Sequence, residues 1–131
     1  MADKVKLEFT NEFNGTLTSP TGEIKIGVVE GSMRPYHLLF GALGSCLYST
    51  FLDIVEKKRL TFDGVTIEIS GEKRTEVPTT LETGLIKLIV KNPSNEEQFE
   101  KSAKLASKYC SIYETVSKVA DLSLEVEFVK E

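Results

Sequence analysis

Arg34-Pro35-Tyr36-His37-Leu38-Leu39-Phe40-Gly41-Ala42-Leu43-Gly44-Ser45-Cys46-Leu47-Tyr48-Ser49-Thr50-Phe51-Leu52-Asp53-Ile54-Val55 is apolar around most of its circumference when wound as a helix. Pro35 suits the first turn, where its missing N–H would have no partner in any case, and no breaker follows before Glu56-Lys57-Lys58-Arg59. The three basic residues of that run also suit the negative end of the helix dipole. A helix of this kind is buried. A membrane span needs about 20 mostly apolar residues, and Arg34, His37 and Asp53 make this stretch a poor one, so the expectation is the central helix of a soluble protein. Gly41, Gly44, Ser45 and Tyr48 recur every three or four positions, a stripe on which another helix backbone could lie. Cys46 sits about halfway along, on roughly the face of Leu39, Thr50 and Asp53, and is either a small core hydrophobe or a reactive thiol.

The remaining chain reads as cover for this helix. Its 131 residues form one domain, 1–131, by length. A net charge of −4 without a Lys/Arg cluster excludes nucleic acid and an anionic membrane as the main partner. Met1-Ala2-Asp3-Lys4 runs straight into alternating residues and not into an apolar leader, so a cytoplasmic location is expected. In that reducing compartment two cysteines are free thiols or a redox pair. With a single histidine, the usual Cys/His metal site is not expected.

Val5, Leu7 and Phe9 alternate with polar residues as in a half-buried strand, Asn14-Gly15 offers a hairpin turn, and Ser19-Pro20-Thr21-Gly22 a second. Ile24, Ile26 and Val28 complete a three-stranded meander. Beyond the helix, Val65, Ile67 and Ile69 mark a strand, residues 71–78 a charged loop or edge continuation, and Ile86, Leu88 and Val90 another strand of a second antiparallel sheet. Ser94-Asn95-Glu96-Glu97 has capping-box spacing and opens a second helix, on which Phe99, Ala103, Ala106 and Cys110 share a face. Ser111-Ile112-Tyr113-Glu114 repeats that spacing. A short third helix starting there would put the Cys110 sulfur near its amino terminus, where partial positive charge favours a thiolate. Leu122, Leu124, Val126 and Phe128 form a last strand.

Taken together, Pro35, the run from Leu38 to Cys46, the segment from Gly71 to Pro78, and Tyr109-Cys110-Ser111 with its alternating tail resemble the OsmC/Ohr family of osmotically inducible and organic hydroperoxide resistance proteins. The resemblance implies an α+β fold of two antiparallel β-sheets shared across an intertwined homodimer around central helices. It also implies peroxidase chemistry, in which Cys46 attacks a hydroperoxide, becomes a sulfenic acid and is resolved by Cys110. No bound cofactor is implied, only an external dithiol, lipoyl-type in some members.

Peroxidase members carry a glutamate directly after the helix-opening proline and an arginine in the amino-terminal strands. Here the first position is Tyr36, and the only basic residues before Arg34 are Lys4, Lys6 and Lys25. Arg34 and His37 are therefore candidates for stabilising the thiolate, although His37 lies opposite Cys46 on its own helical wheel. Tyr36, Leu39 and Thr50 are the candidate pocket residues. Ser111 stands where a proline is common in the family. Two functions fit this pattern: a thiol peroxidase, or a dimer of the same fold that binds a small apolar ligand at its interface with little turnover.

Overall fold

A computed structural model describes residues 4–131, and the chain divides into two compact units, Met1–Leu39 and Phe40–Glu131. The first unit contains a meander of β1 (Lys6–Phe9), β2 (Asn14–Ser19) and β3 (Gly22–Gly27), paired antiparallel in the order β1-β2-β3. Its first turn is not at Asn14-Gly15, which already lie in β2. The chain reverses over residues 10–13 instead, with the Thr10 N–H donating to the Asn14 carbonyl at 3.1 Å and the Thr10 hydroxyl accepting the Glu12 N–H at 3.2 Å. Gly15 faces Phe9 across the ladder, and a β-carbon there would collide with the Phe9 ring and the Glu8 carbonyl, so this glycine answers to close approach and not to a turn. Leu7 and Phe9 are 49% and 47% exposed within the chain, and β3 ends before Val28. After β3 the chain folds back on that strand, the Met33 N–H donating to the Lys25 carbonyl at 2.9 Å.

Helix α1 (Pro35–Lys57) begins in the first unit and continues into the second. Its length and composition would suffice to cross a membrane, but Leu43, Leu47, Phe51 and Val55, spaced by four, are buried in a core. Only this face is fully buried within the chain. Gly44 belongs to it, but it meets a sheet and not a second helix: a β-carbon there would lie 3.0 Å from the Ile69 δ-methyl and 3.6 Å from the Ile67 γ-methyl. Gly41 has open space where a side chain would stand, and Ser45 is exposed. Of the three basic residues at the end, only Lys57 lies in the helix. Arg59 takes a φ of 59°, and the Leu60 N–H reaches back to the Val55 carbonyl at 3.0 Å.

The second unit places α1 against a sheet of β4 (Gly64–Lys73), β5 (Leu81–Lys91) and β6 (Asp121–Val129), in the order β4-β5-β6. In β5, Ile86, Leu88 and Val90 point into the core. β4 pairs antiparallel with β5, setting Ile67 opposite Leu88 and Ile69 opposite Ile86. β6 pairs parallel with β5, so this sheet is mixed and not the purely antiparallel one expected. The cause is the helical segment between the two strands. A crossover carries the chain back along the sheet, and β6 therefore sets out in the direction of β5.

That crossover consists of α2 (Glu96–Tyr109) and α3 (Ser111–Ser117). Asn95 caps α2, its side-chain oxygen accepting the Gln98 N–H at 3.1 Å. Ser94, the expected cap, is engaged with Thr61 in both directions: its hydroxyl accepts the Thr61 N–H at 3.0 Å and its own N–H donates to the Thr61 carbonyl at 2.9 Å. The buried face of α2 carries Phe99, Ser102, Ala103 and Ala106, and Cys110 beyond it is also fully buried. Phe99 meets Phe51 of α1 with ring centroids 6.0 Å apart, and Phe62 packs edge-on to both, at 6.2 Å from Phe51 and 5.5 Å from Phe99.

Candidate active site

Two elements of the second unit bring the cysteines together. Cys46 lies on α1 one residue before the buried Leu47, at the edge of the face that enters the core, and is partly buried. Cys110 lies at the corner between α2 and α3 and is fully buried. Both are free thiols. The corner forms because Cys110 leaves helical geometry, with φ −72° and ψ 117°, ending α2 and starting α3 in one residue. Its backbone N–H still donates to the Ala106 carbonyl, and its sulfur accepts the Tyr113 N–H at 3.4 Å. The cap of α3 is thus a cysteine sulfur, in a role usually filled by Ser, Thr, Asp or Asn. The expected third helix does begin at Ser111.

The first N–H groups of any helix lack partners within it. At α3 these donors, with the neighbouring side chains, act on Cys46. Burial alone would push the Cys46 thiol up. The Ile112 N–H, the Cys110 thiol, the Ser111 hydroxyl and the Ser111 N–H, in decreasing order of effect, stabilise its thiolate and hold it below the usual thiol range. The Ser111 hydroxyl oxygen stands 3.9 Å from the Cys46 sulfur.

Cys110 moves the other way. Burial raises it most, partly offset by the Tyr113 N–H. Its hydrogen bond to Cys46 and the negative charge of the Cys46 thiolate raise it further, against a smaller lowering by the Ile112 N–H. Tyr113 is also raised, by burial first and then by charge on Cys110. The sequence pointed to a thiolate at Cys110, favoured by the start of α3. At Cys110 burial outweighs that effect and its shift is upward, whereas the shift of Cys46, the attacking thiol implied by the resemblance, is downward.

Thr50, one turn beyond Cys46, donates its hydroxyl to the Cys46 carbonyl at 3.1 Å and lines a groove of about 470 Å³ with Ile54, Leu105 and Tyr109. Arg34, Tyr36, His37 and Leu39 belong to the first unit. There His37 serves the helix start, its Nδ1 accepting the Arg34 backbone N–H at 3.0 Å. Tyr36 and Leu39 are partly buried, Arg34 and His37 exposed. Ser111 and Ile112 carry a role in the site that the sequence did not assign to them. Their signal was the helix start directly after a cysteine, but which sulfur those donors would face depended on the packing of α3 near α1. Among the described residues no three His, Cys, Asp or Glu side chains gather where they could ligate a metal.

The family model for OsmC-like proteins matches residues 29–125. No curated protein matches the chain. Among solved structures, a hypothetical protein from Aquifex aeolicus is 29% identical, with a TM-score of 0.89, over 100% of this chain and 98% of that one. An OsmC-like protein from Mycoplasma pneumoniae has a TM-score of 0.83 at 17% identity, over 99% of this chain and 97% of that one. An organic hydroperoxide resistance protein from Legionella pneumophila has 0.76 at 12% identity, over 97% of each chain. The architecture is α+β and the family model spans most of its length: the chain belongs to the OsmC-like family.

Proposed function

We propose that the protein is a cytoplasmic, homodimeric thiol peroxidase that reduces organic or related hydroperoxides. The observation that carries this reading is two free thiols brought together by α1 and the start of α3, Cys46 shifted down by the donors around it and Cys110 shifted up by burial. The Cys46 thiolate attacks one oxygen of ROOH and the O–O bond breaks. Sulfur takes up OH as a sulfenic acid, and RO⁻ leaves and takes a proton from solvent to become ROH. The Cys110 sulfur then displaces water from the sulfenic acid, giving a Cys46–Cys110 disulfide. An external dithiol, lipoyl-type or similar, reduces that bond and is itself oxidised to a disulfide.

The steps are ordered by charge. Burial raises Cys110 most, and while Cys46 is a thiolate its hydrogen bond and its charge raise it further. Conversion of Cys46 to a neutral sulfenic acid removes that charge, so Cys110 ionises more readily when it is needed. The donors of α3 stabilise the Cys46 thiolate where peroxidase members of the family use an arginine–glutamate pair. Support for a homodimer comes from α1, whose apolar side chains outside the core face are only partly buried within one chain, and from exposed Leu7, Phe9 and Ile24 on the first sheet.

A second reading, a dimer binding a small apolar ligand without turnover, draws on the groove at Thr50, Ile54, Leu105 and Tyr109. Intact-mass thiol titration with one equivalent of an organic hydroperoxide separates the two. Wild type is expected to lose both thiols rapidly, and Cys110→Ser to retain a trapped sulfenic acid on Cys46. Thiols that remain reduced in wild type would favour the binding reading.

A further inference from the structure

Ser111 occupies the first position of α3, yet its hydroxyl is not spent on capping, because the Cys110 sulfur already accepts the Tyr113 N–H. Its own carbonyl accepts the Thr115 hydroxyl at 2.9 Å, an ordinary bond within the helix. Among the described residues the hydrogen-bond contact of the Ser111 hydroxyl is the Cys46 sulfur, at 3.9 Å. A thiolate has no proton to give, so once Cys46 is ionised the direction of that contact is fixed and the serine must donate. Serine is also the smallest side chain that offers a hydroxyl here, and the exposed position lets it turn as the sulfur changes state.

We propose that Ser111 is a further catalytic residue of the Cys46 centre, donating its hydroxyl to the reacting sulfur and so setting how much of Cys46 stands ready as nucleophile near neutral pH. The inference rests on the reading of Cys46 as the attacking thiol. It goes beyond the two-cysteine cycle by naming the side chain, outside the pair, that tunes it. Bonds to charged groups are the stronger class of hydrogen bond, but this one is long and exposed, so an effect of about threefold is expected.

The test is the pH profile of Cys46 alkylation by iodoacetamide in the full chain, resolved by peptide mass so that Cys46 is read apart from Cys110. Ser111→Ala is expected to move the Cys46 profile to higher pH, slowing alkylation at neutral pH by about threefold and converging with wild type in alkali, where the thiolate forms regardless. Ser111→Thr, which keeps the hydroxyl, is expected to restore the wild-type profile. Ser111→Gly loses the hydroxyl by another route and must shift as alanine does. An unmoved profile in both alanine and glycine variants overturns the proposal. So does a loss of equal size at every pH, the mark of a merely structural change. Alkylation reads the thiolate without any peroxide. A shifted profile in a chain that consumes no hydroperoxide therefore upholds the hydroxyl contact and sinks the peroxidase reading, whereas an unmoved profile in a chain that does consume it sinks the role of Ser111 alone.

Discussion

Phe51→Ala is expected to lower the unfolding free energy by about 3–5 kcal/mol, measured by urea denaturation followed by circular dichroism. Phe51 is fully buried, and it touches three other rings, at centroid distances of 6.3 Å to Tyr48, 6.2 Å to Phe62 and 6.0 Å to Phe99. These rings come from α1, from the connection after it and from α2, so truncation at their centre opens a cavity where the three segments meet. They cannot all close it, because each is fixed by its own backbone. With domain stabilities of about 5–15 kcal/mol, a loss of this size removes a large share of the total. Phe51→Leu retains more of the volume and is expected to lose less. A loss under about 1 kcal/mol for the alanine variant would show that the cluster is not the keystone of the second unit.

Cys46→Ser is expected to abolish hydroperoxide consumption and, at the same time, to make Cys110 easier to ionise. The first effect follows from the loss of the thiolate, the only form of the pair that attacks. The second follows from the causes acting on Cys110. Burial remains in the variant, but the charge that Cys46 carries as a thiolate disappears, while the Tyr113 and Ile112 N–H groups still favour Cys110 ionisation. Ultraviolet thiolate absorbance against pH, in Cys46→Ser compared with Cys46 and Cys110 together in wild type, reads this directly. In wild type the first ionisation is expected at Cys46, shifted down by the donors around it, and the second at Cys110, shifted up mainly by burial. In the variant the Cys110 step is expected at lower pH than the second wild-type step. A Cys110 step that stays where it was would mean that the two sulfurs do not sense each other's charge, and the ordered cycle would lose its physical basis.

Much of this arrangement is legible in the sequence, because it depends on local periodicity. The apolar run from Pro35, the alternation in β4, β5 and β6 and the stripe ending at Cys110 all lie where they were expected. The errors share a cause: a local signal has more than one physical use. Asn14-Gly15 reads as a turn, but Gly15 is small because the Phe9 ring lies over it. Ser94 reads as a cap, but its hydroxyl is held by Thr61, distant in sequence. Gly44 reads as a helix–helix contact and is instead the seat of Ile67 and Ile69. Alternation in β6 shows which side chains point inward, but it is the same for parallel and antiparallel neighbours, so the strand's direction was hidden. The site follows the same rule. Its two cysteines stand out by residue type, whereas the leading donor to Cys46 is the backbone N–H of Ile112, which any residue but proline could supply, and the Ser111 hydroxyl reaches that sulfur only through the packing of α3.

The parallel return of β6 bears on which changes of length the molecule can absorb. The loop between β4 and β5, residues 74–80, joins antiparallel neighbours, and inserted residues there can bulge outward without changing the register of the two strands. The crossover between β5 and β6 has no such freedom. Cys110 is its hinge, and one residue added within α2 would turn everything after it by about 100° around the helix axis, carrying the second sulfur off the face shared with Phe99 and Ala106. Lineages that preserve the paired thiols should therefore vary in length at the hairpin and keep the span from Asn95 to Ser111 constant.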